Sequence, residues 1–182
     1  GSLSLELAAD AEVIGVDGSE DMLALAGEKA ARAGRSLLFL RQDMRCLDLY
    51  GTVEGAVCVL DSLNHLLRTA DIRAVLRRLR LFLEPGGLFV FDVNTPYKHR
   101  VVLGDNAFVL EDEDVVCVWR NRYIPRTCEV AMTLDFFVPA GEGRYDRLTD
   151  EVRERAYAGT TMRRLLEEEG FETLAVYGDR SF

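Results

Sequence analysis

Apolar and polar positions set the rhythm of this chain, and the rhythm changes after residue 96. Leu3, Leu5 and Leu7 open a short helix-like segment. Val13-Ile14-Gly15-Val16-Asp17 follows, an unbroken apolar run ending on a carboxylate. Ser19 is then placed as an N-cap, with Glu20 and Asp21 in the first turn, where negative charge meets the positive end of the helix dipole. Met22, Leu23, Leu25, Ala26 and Ala30 supply the apolar face of that helix, and Gly34 ends it. The unit recurs. Leu37 to Leu40 is a strand left by Gln42-Asp43-Met44. Ala56-Val57-Cys58-Val59-Leu60 is another, left by Asp61-Ser62-Leu63-Asn64-His65. The spacing of Ile72, Val75, Leu76, Leu79 and Leu83 predicts a helix over 71–83, stopped by Glu84-Pro85-Gly86-Gly87. Leu88-Phe89-Val90-Phe91-Asp92 is the next strand, followed by Val93-Asn94-Thr95-Pro96.

Beyond Pro96 the period becomes two. Val115, Cys117, Trp119 and Tyr123 share one face of a strand, with Arg120 and Arg122 on the other; Val130, Met132, Leu134, Phe136 and Val138 share a face of a second. Pro125-Arg126-Thr127 turns between them, residues 152–157 form a third short strand, and Glu111-Asp112-Glu113-Asp114 reads as a solvated turn. A helix over 161–169 ends at Gly170, and a strand over 173–177 comes last. Continuous apolar strands alternating with helices specify an α/β fold with a mostly parallel sheet covered on both faces. The half-buried alternating strands specify a small antiparallel β insertion over 101–157, a substrate cap or a dimer element, set into a core of residues 1–100 and 158–182.

At 182 residues the chain has the length of one domain, and 48% apolar residues suffice for a core. A net charge of −9 argues against a nucleic-acid or anionic-membrane surface. No apolar run approaches the roughly 20 residues of a membrane helix. Four scattered cysteines without a CxxC pair point to reduced, buried thiols and a cytoplasmic location, and two histidines make a His-rich metal site unexpected.

In parallel α/β sheets ligands bind beyond the carboxyl ends of the strands, and here those ends carry Asp17, Asp43, Asp61 and Asp92. The phrases VIGVDGSEDML, RQDMR, VCVLDSLNHL, LEPGGLFVFDVNTPYK and LLEEEGFE resemble, in order and spacing, a class I S-adenosylmethionine-dependent methyltransferase. The likeness is to the small bacterial branch with an antiparallel insertion after its fifth strand. The resemblance implies a Rossmann-like three-layer sandwich, S-adenosyl-L-methionine as cofactor, and methyl transfer to a small-molecule acceptor. It implies that Asp17 takes the ribose hydroxyls, that Asp43 takes the adenine amino group with Met44 packed on the ring, and that Met22 flanks the adenine. A core position is the other reading of Met22. Leu60 and Asp61 fall where the methionine half of the cofactor lies. His65 is the candidate proton acceptor, and Asn94, Tyr97, Tyr123 and Arg155 are candidates for the substrate side. Arg153, Arg155 and Tyr157 share a face that is either inward, suiting an anionic acceptor, or solvated.

The family's glycine-rich loop is not present. Gly1 is either its last glycine or, with Ser2, a tag remnant. The missing first strand would be central, and the family closes with one more strand, so the native protein is expected to be longer at both ends or completed by a partner. Two other readings remain: a non-catalytic methyltransferase-like binding or assembly module, and a nicotinamide-dependent oxidoreductase, which lacks its GxGxxG loop. The expected partner is a small molecule, with a homodimer as a second option.

Overall fold

The four apolar runs before Pro96 become the strands of two parallel ladders. The computed structural model describes residues 1–112 and 114–178. In chain order it contains α1 (Ser2–Leu7), β1 (Ile14–Asp17), α2 (Glu20–Arg32), β2 (Leu38–Arg41), a 3-10 turn (Met44–Cys46), β3 (Val53–Cys58), a second 3-10 turn (Ser62–His65), α3 (Thr69–Phe82) and β4 (Leu83–Phe91). A π-helical turn (Lys98–Leu103) leads to β5 (Ala107–Asp112), β6 (Val115–Ile124), β7 (Glu129–Gly141), β8 (Arg144–Arg155) and α4 (Gly159–Glu168). β1 pairs in parallel with β2, from Ile14 opposite Leu38 to Asp17 opposite Arg41. β3 pairs in parallel with β4, from Gly55 opposite Leu88 to Cys58 opposite Phe91. Each is a separate two-stranded ladder.

The α/β core is packed by α3 and α4 on one face of β3 and β4. Leu63, Ile72, Val75, Leu76, Leu79, Tyr157, Met162, Leu165 and Leu166 are buried there, with Ala56, Cys58, Phe89 and Phe91 against them. Every apolar position expected of α3 is in this cluster. On the other phase of the strands Val57, Leu88 and Val90 stay exposed, as do Ile14 and Val16 of β1. The α3 arginines form a strap, beyond the wet face their spacing suggests: Arg73 meets Glu168, Arg77 Nε and Nη2 donate to Glu169 at 2.9 and 3.0 Å, and Arg78 pairs with Asp48 at 3.1 Å. β4 starts at Leu83, ahead of the expected Leu88, so Glu84-Pro85-Gly86-Gly87 is an irregular stretch of the strand; it depends on Gly87, where a Cβ would lie 2.8 Å from the Glu54 carbonyl oxygen and 2.9 Å from that of Glu84.

The insertion has four strands in the order β5-β6-β7-β8, all antiparallel, where the sequence suggested three. β5 escaped notice because Ala107-Phe108-Val109-Leu110 is apolar on both phases. β8 starts at residue 144, ahead of the expected 152, because its first residues are exposed on both faces and carry no period-two signal. Glu111 and Asp112 end β5, and Glu113 lies outside the described residues. Residues 171–178 do not form the expected closing strand. Thr173 to Tyr177 has β-forming residues, but those residues are not part of any ladder among the described residues. Of the thiols, Cys117 is buried, Cys58 and Cys128 are half-buried and Cys46 is exposed, contrary to a uniformly buried set.

One face of the insertion packs Leu103, Val130 and Met132 with Phe108, Trp119, Tyr123 and Val152. The opposite face holds an acid knot. Asp135 accepts from Thr149 Oγ1 at 2.7 Å, from Arg147 Nε and Nη2 at 2.9 and 2.7 Å, and from Arg120 Nη2 at 2.7 Å. These bonds, with Thr149 first, outweigh desolvation and lower the Asp135 carboxyl from 3.8 to about 2. Because the folded value is the lower one, the knot's stabilisation is complete above the ordinary value and is lost as pH falls through the folded one. Acid unfolding of Asp135→Asn, followed by circular dichroism, is therefore expected to lack the part of the wild-type stability loss that falls between about pH 4 and pH 2.

Candidate active site at the strand ends

The ends of β1 and β2 bring two carboxylates to one rim. Asp17 closes β1 opposite Arg41, and Gln42 N donates to the Asp17 carbonyl oxygen at 3.0 Å, so Asp43 follows directly on a residue bonded to Asp17. Asp17 Oδ1 accepts from Ser19 N at 2.8 Å, which orients the side chain; Oδ2 has no protein partner among the described residues. Ser19 caps α2 through Met22 N at 3.3 Å, as its position in the sequence suggests. Met22 is 51% exposed, which excludes the core reading and places it on the surface of the first turn of α2. Met44 is half-buried against the core. Gly1 lies against α2, where a Cβ would sit 2.7 Å from Ala26 Cβ, so only glycine fits that approach.

Asp43 holds a surprise. Its Oδ1 accepts from Arg45 N at 2.8 Å and Arg45 Nε at 2.9 Å, and its Oδ2 accepts from Arg45 Nε at 3.0 Å and from Arg45 Nη2. The Arg45 hydrogen bonds hold the Asp43 carboxyl below its usual value. Asp43 is therefore already engaged by a cation two residues away, which the sequence reading did not foresee.

The ends of β3 and β4, in the second parallel ladder, carry the other candidates. Leu60 and Asp61 are both in the left-handed region, with φ of 59° and 50°. Consecutive non-glycine residues hold that conformation only where the surroundings impose it. Here Asp92, at the end of β4, imposes it: Leu60 N donates to its Oδ2 at 3.0 Å and Asp61 N to its Oδ1 at 2.7 Å. Leu60 is 80% exposed as a result. Asp92 itself was visible as a strand-end acid but was not assigned a role in the site.

Behind this loop lies a buried polar network. Asn64, fully buried, donates from Nδ2 to the Asn94 carbonyl at 3.1 Å and to the Arg155 carbonyl at 2.8 Å, while its Oδ1 accepts from Asn94 N at 2.8 Å. Asn94 Nδ2 donates to Asp61 Oδ2 at 2.7 Å and to Glu154 Oε2 at 3.0 Å. Glu154 Oε2 also meets Nε2 of the fully buried His99 at 3.3 Å, and Glu154 Oε1 lies 4.0 Å from Nε2 of the half-exposed His65. Asn94 and His65 thus meet, as candidates of one site, through Glu154. Sequence reasoning missed Asn64, His99 and Glu154. A signal existed for Glu154: it occupies the phase of Val152 and Ala156, the buried side of β8.

The remaining substrate candidates do not converge. Tyr97 is exposed at the start of the π-helical turn. Tyr123 packs in the insertion's own apolar cluster, and burial pushes its phenol up. Arg155 is turned to the core: Nη1 donates to the Leu67 carbonyl at 2.9 Å and the guanidinium stacks on Tyr157, 5.4 Å from the ring centre. It is held there and does not face an acceptor as a free cation.

Residues 1–87 match a family model described as a methyltransferase domain. A protein of Geobacillus sp. (strain WCH70) that bears a methyltransferase name is 31% identical over 98% of this chain and 73% of its own length. The crystal structure of an S-adenosylmethionine-dependent methyltransferase from Clostridium acetobutylicum ATCC 824 superposes with a TM-score of 0.84 at 31% identity, covering 93% of this chain and 68% of that one. The chain belongs to the S-adenosylmethionine-dependent methyltransferases. The structure of CalS10 from Micromonospora echinaspora, an amino pentose methyltransferase with the cofactor bound, shares the fold at a TM-score of 0.69 and 23% identity, covering 91% of this chain and 69% of that one. The methyltransferase is thus an enzyme with a Rossmann-like core, a small antiparallel sheet and S-adenosylmethionine as its cofactor. Neither the non-catalytic nor the nicotinamide reading is the one these relatives support. No helix among the described residues of the methyltransferase is long and apolar enough to cross a membrane.

Proposed function

We propose that this methyltransferase transfers the methyl group of S-adenosylmethionine to a small-molecule acceptor at the rim formed by the ends of β1 to β4. The observation that supports this reading most is the placement of Asp17 and Asp43 side by side on one edge of a parallel ladder. The residues present suit the cofactor. The open Oδ2 of Asp17 has room for ribose hydroxyls, and the exposed Met22 and half-buried Met44 offer apolar walls for an adenine. The strained Leu60-Asp61 turn follows β3, where the methionine half is expected, and Asp92 fixes its shape. When bound, the cofactor supplies an electrophilic methyl on a sulfonium. The chain's residues align the acceptor, exclude water and hold a proton where the nucleophile arrives protonated. His65, half-exposed on the turn that Asp61 opens, is the residue we assign to that last task. A small-molecule acceptor also suits the amino pentose named for CalS10.

The test is isothermal titration with S-adenosylmethionine, followed by a screen of amines and amino sugars for release of S-adenosylhomocysteine. Binding with turnover supports the reading; absence of binding heat and of any thermal shift overturns it. Arg45 gives a sharper prediction. If Asp43 reads the adenine amino group, Arg45 competes with it for the carboxylate. Arg45→Ala is then expected to tighten S-adenosylmethionine binding about two- to fivefold in the same titration, the scale of an exposed ion pair.

A further inference from the structure

We infer that Glu154 is the positioning residue for His65, so that the insertion supplies the partner of the candidate proton acceptor. The inference rests on the proposed methyl-transfer site and adds a residue to it. Glu154 is the next-to-last residue of β8, carried on the insertion's buried phase into the ends of β3 and β4. Its two oxygens do different things. Oε2 is fixed by Asn94 Nδ2 at 3.0 Å and His99 Nε2 at 3.3 Å. With one oxygen pinned by two donors, the carboxylate plane is set, and Oε1 is presented to His65 Nε2 at 4.0 Å. No other partner reaches Oε1 among the described residues. Distances of this kind commonly tighten when substrate seats, so 4.0 Å in the free chain is compatible with a working pair.

The same arrangement keeps a buried carboxylate paired through both of its oxygens. An ionised group at 5% exposure is costly unless it is paired. Burial pushes Glu154 up; the hydrogen bonds from His99 and Asn94 and the charges of His65 and His99 outweigh it, and the net direction is down. The groups facing it are Asp61 through Asn94, His65 on the turn after β3, and His99 on the π-helical turn. Cys128 lies behind His99, and Tyr123 is in register two strands away. Arg153 and Arg155 alternate onto the opposite face. A carboxylate that orients an imidazole from behind fixes its tautomer and favours its protonated form, which is what a proton acceptor requires. The free nitrogen of His65 would take the acceptor's N–H or O–H proton while the acceptor gains the methyl group that bound S-adenosylmethionine would supply, the electron pair of the broken methyl–sulfur bond staying on sulfur.

The chain has only two histidines, so His65 and His99 can be followed separately by the proton shift of ring carbon Cε1 in the full chain. In wild type the His65 shift is expected to show a second inflection on the acid side, below the ordinary glutamate value, reporting the ionisation of Glu154. In Glu154→Gln that inflection disappears, while Glu129→Gln keeps it. Because Glu154→Gln disturbs a buried network, His65→Gln is the companion variant. It replaces a half-exposed side chain, and the Glu154 carboxyl carbon should then titrate at a higher pH than in wild type. An acid-side inflection unchanged by Glu154→Gln, or a Glu154 titration unmoved in His65→Gln, overturns the pairing. The outcome is separate from the methyl-transfer reading, which fails on the binding of S-adenosylmethionine to the wild-type chain.

Discussion

Asp17→Ala is expected to weaken S-adenosylmethionine binding by at least about 100-fold while leaving the fold intact. The side chain is exposed and its one protein bond, from Ser19 N, is at the edge of α2, so removing it leaves no buried group unpaired. What is lost is a carboxylate placed to accept two hydrogen bonds from ribose. Bonds to a charged acceptor contribute about 1.5–3 kcal/mol each, so two of them amount to roughly 3–6 kcal/mol, and about 1.4 kcal/mol is a factor of ten. Titration calorimetry reads the loss, and the unfolding curve controls for the fold. Retention of binding within about threefold would show that Asp17 only closes β1 and that this strand end does not hold the ribose. Asp17→Asn separates charge from geometry, since it keeps one acceptor oxygen and should lose less.

Asn64→Ala is expected to be the most destabilising substitution of a polar residue. Asn64 is fully buried and serves three backbone groups: the Asn94 N–H, the Asn94 carbonyl and the Arg155 carbonyl. They come from the segment after β4 and the end of β8. Each buried group left without a partner costs about 1–3 kcal/mol. Asn94 O keeps a 3.4 Å bond from Tyr157 N, which reduces its share. A loss of roughly 3–5 kcal/mol follows, or a fall in Tm of about 10 °C for a domain of this size. Urea and thermal unfolding measure it. A loss under about 1 kcal/mol would mean that water enters and replaces the amide. Because the same residue ties the insertion to the strand ends, the variant is also expected to release the Glu154 contact with His65.

Much of the core was legible. The apolar positions of α3 became the buried cluster, Ser19 became the cap of α2, and Asp17 ended β1, because each of these depends on neighbours within a few residues. The insertion was legible only where its strands alternate. β5 and the first half of β8 carry no period of their own, and their state was set by the strand beside them. The residues 173–177 show the reverse case: their β-forming side chains suggest a strand, and no strand is formed there among the described residues.

The candidate site divides in the same way. The acidic residues at the strand ends were fixed by local pattern, since a carboxylate following a buried strand marks a known edge of a parallel sheet. Their electrical state was not. Arg45 folds back on Asp43, Asp92 holds Leu60 and Asp61 in a strained turn, and Arg155 turns inward to the Leu67 carbonyl. Those partners are set by side-chain rotamers and by the packing of segments 30 to 90 residues apart, which hydrophobic periodicity does not encode. By itself the sequence placed acidic residues at the carboxyl ends of the parallel strands, the edge at which we propose the chemistry. Only the tertiary structure decided which of its charges are open to a ligand and which are already held, because that depends on distances of 3 to 4 Å between residues far apart in the chain.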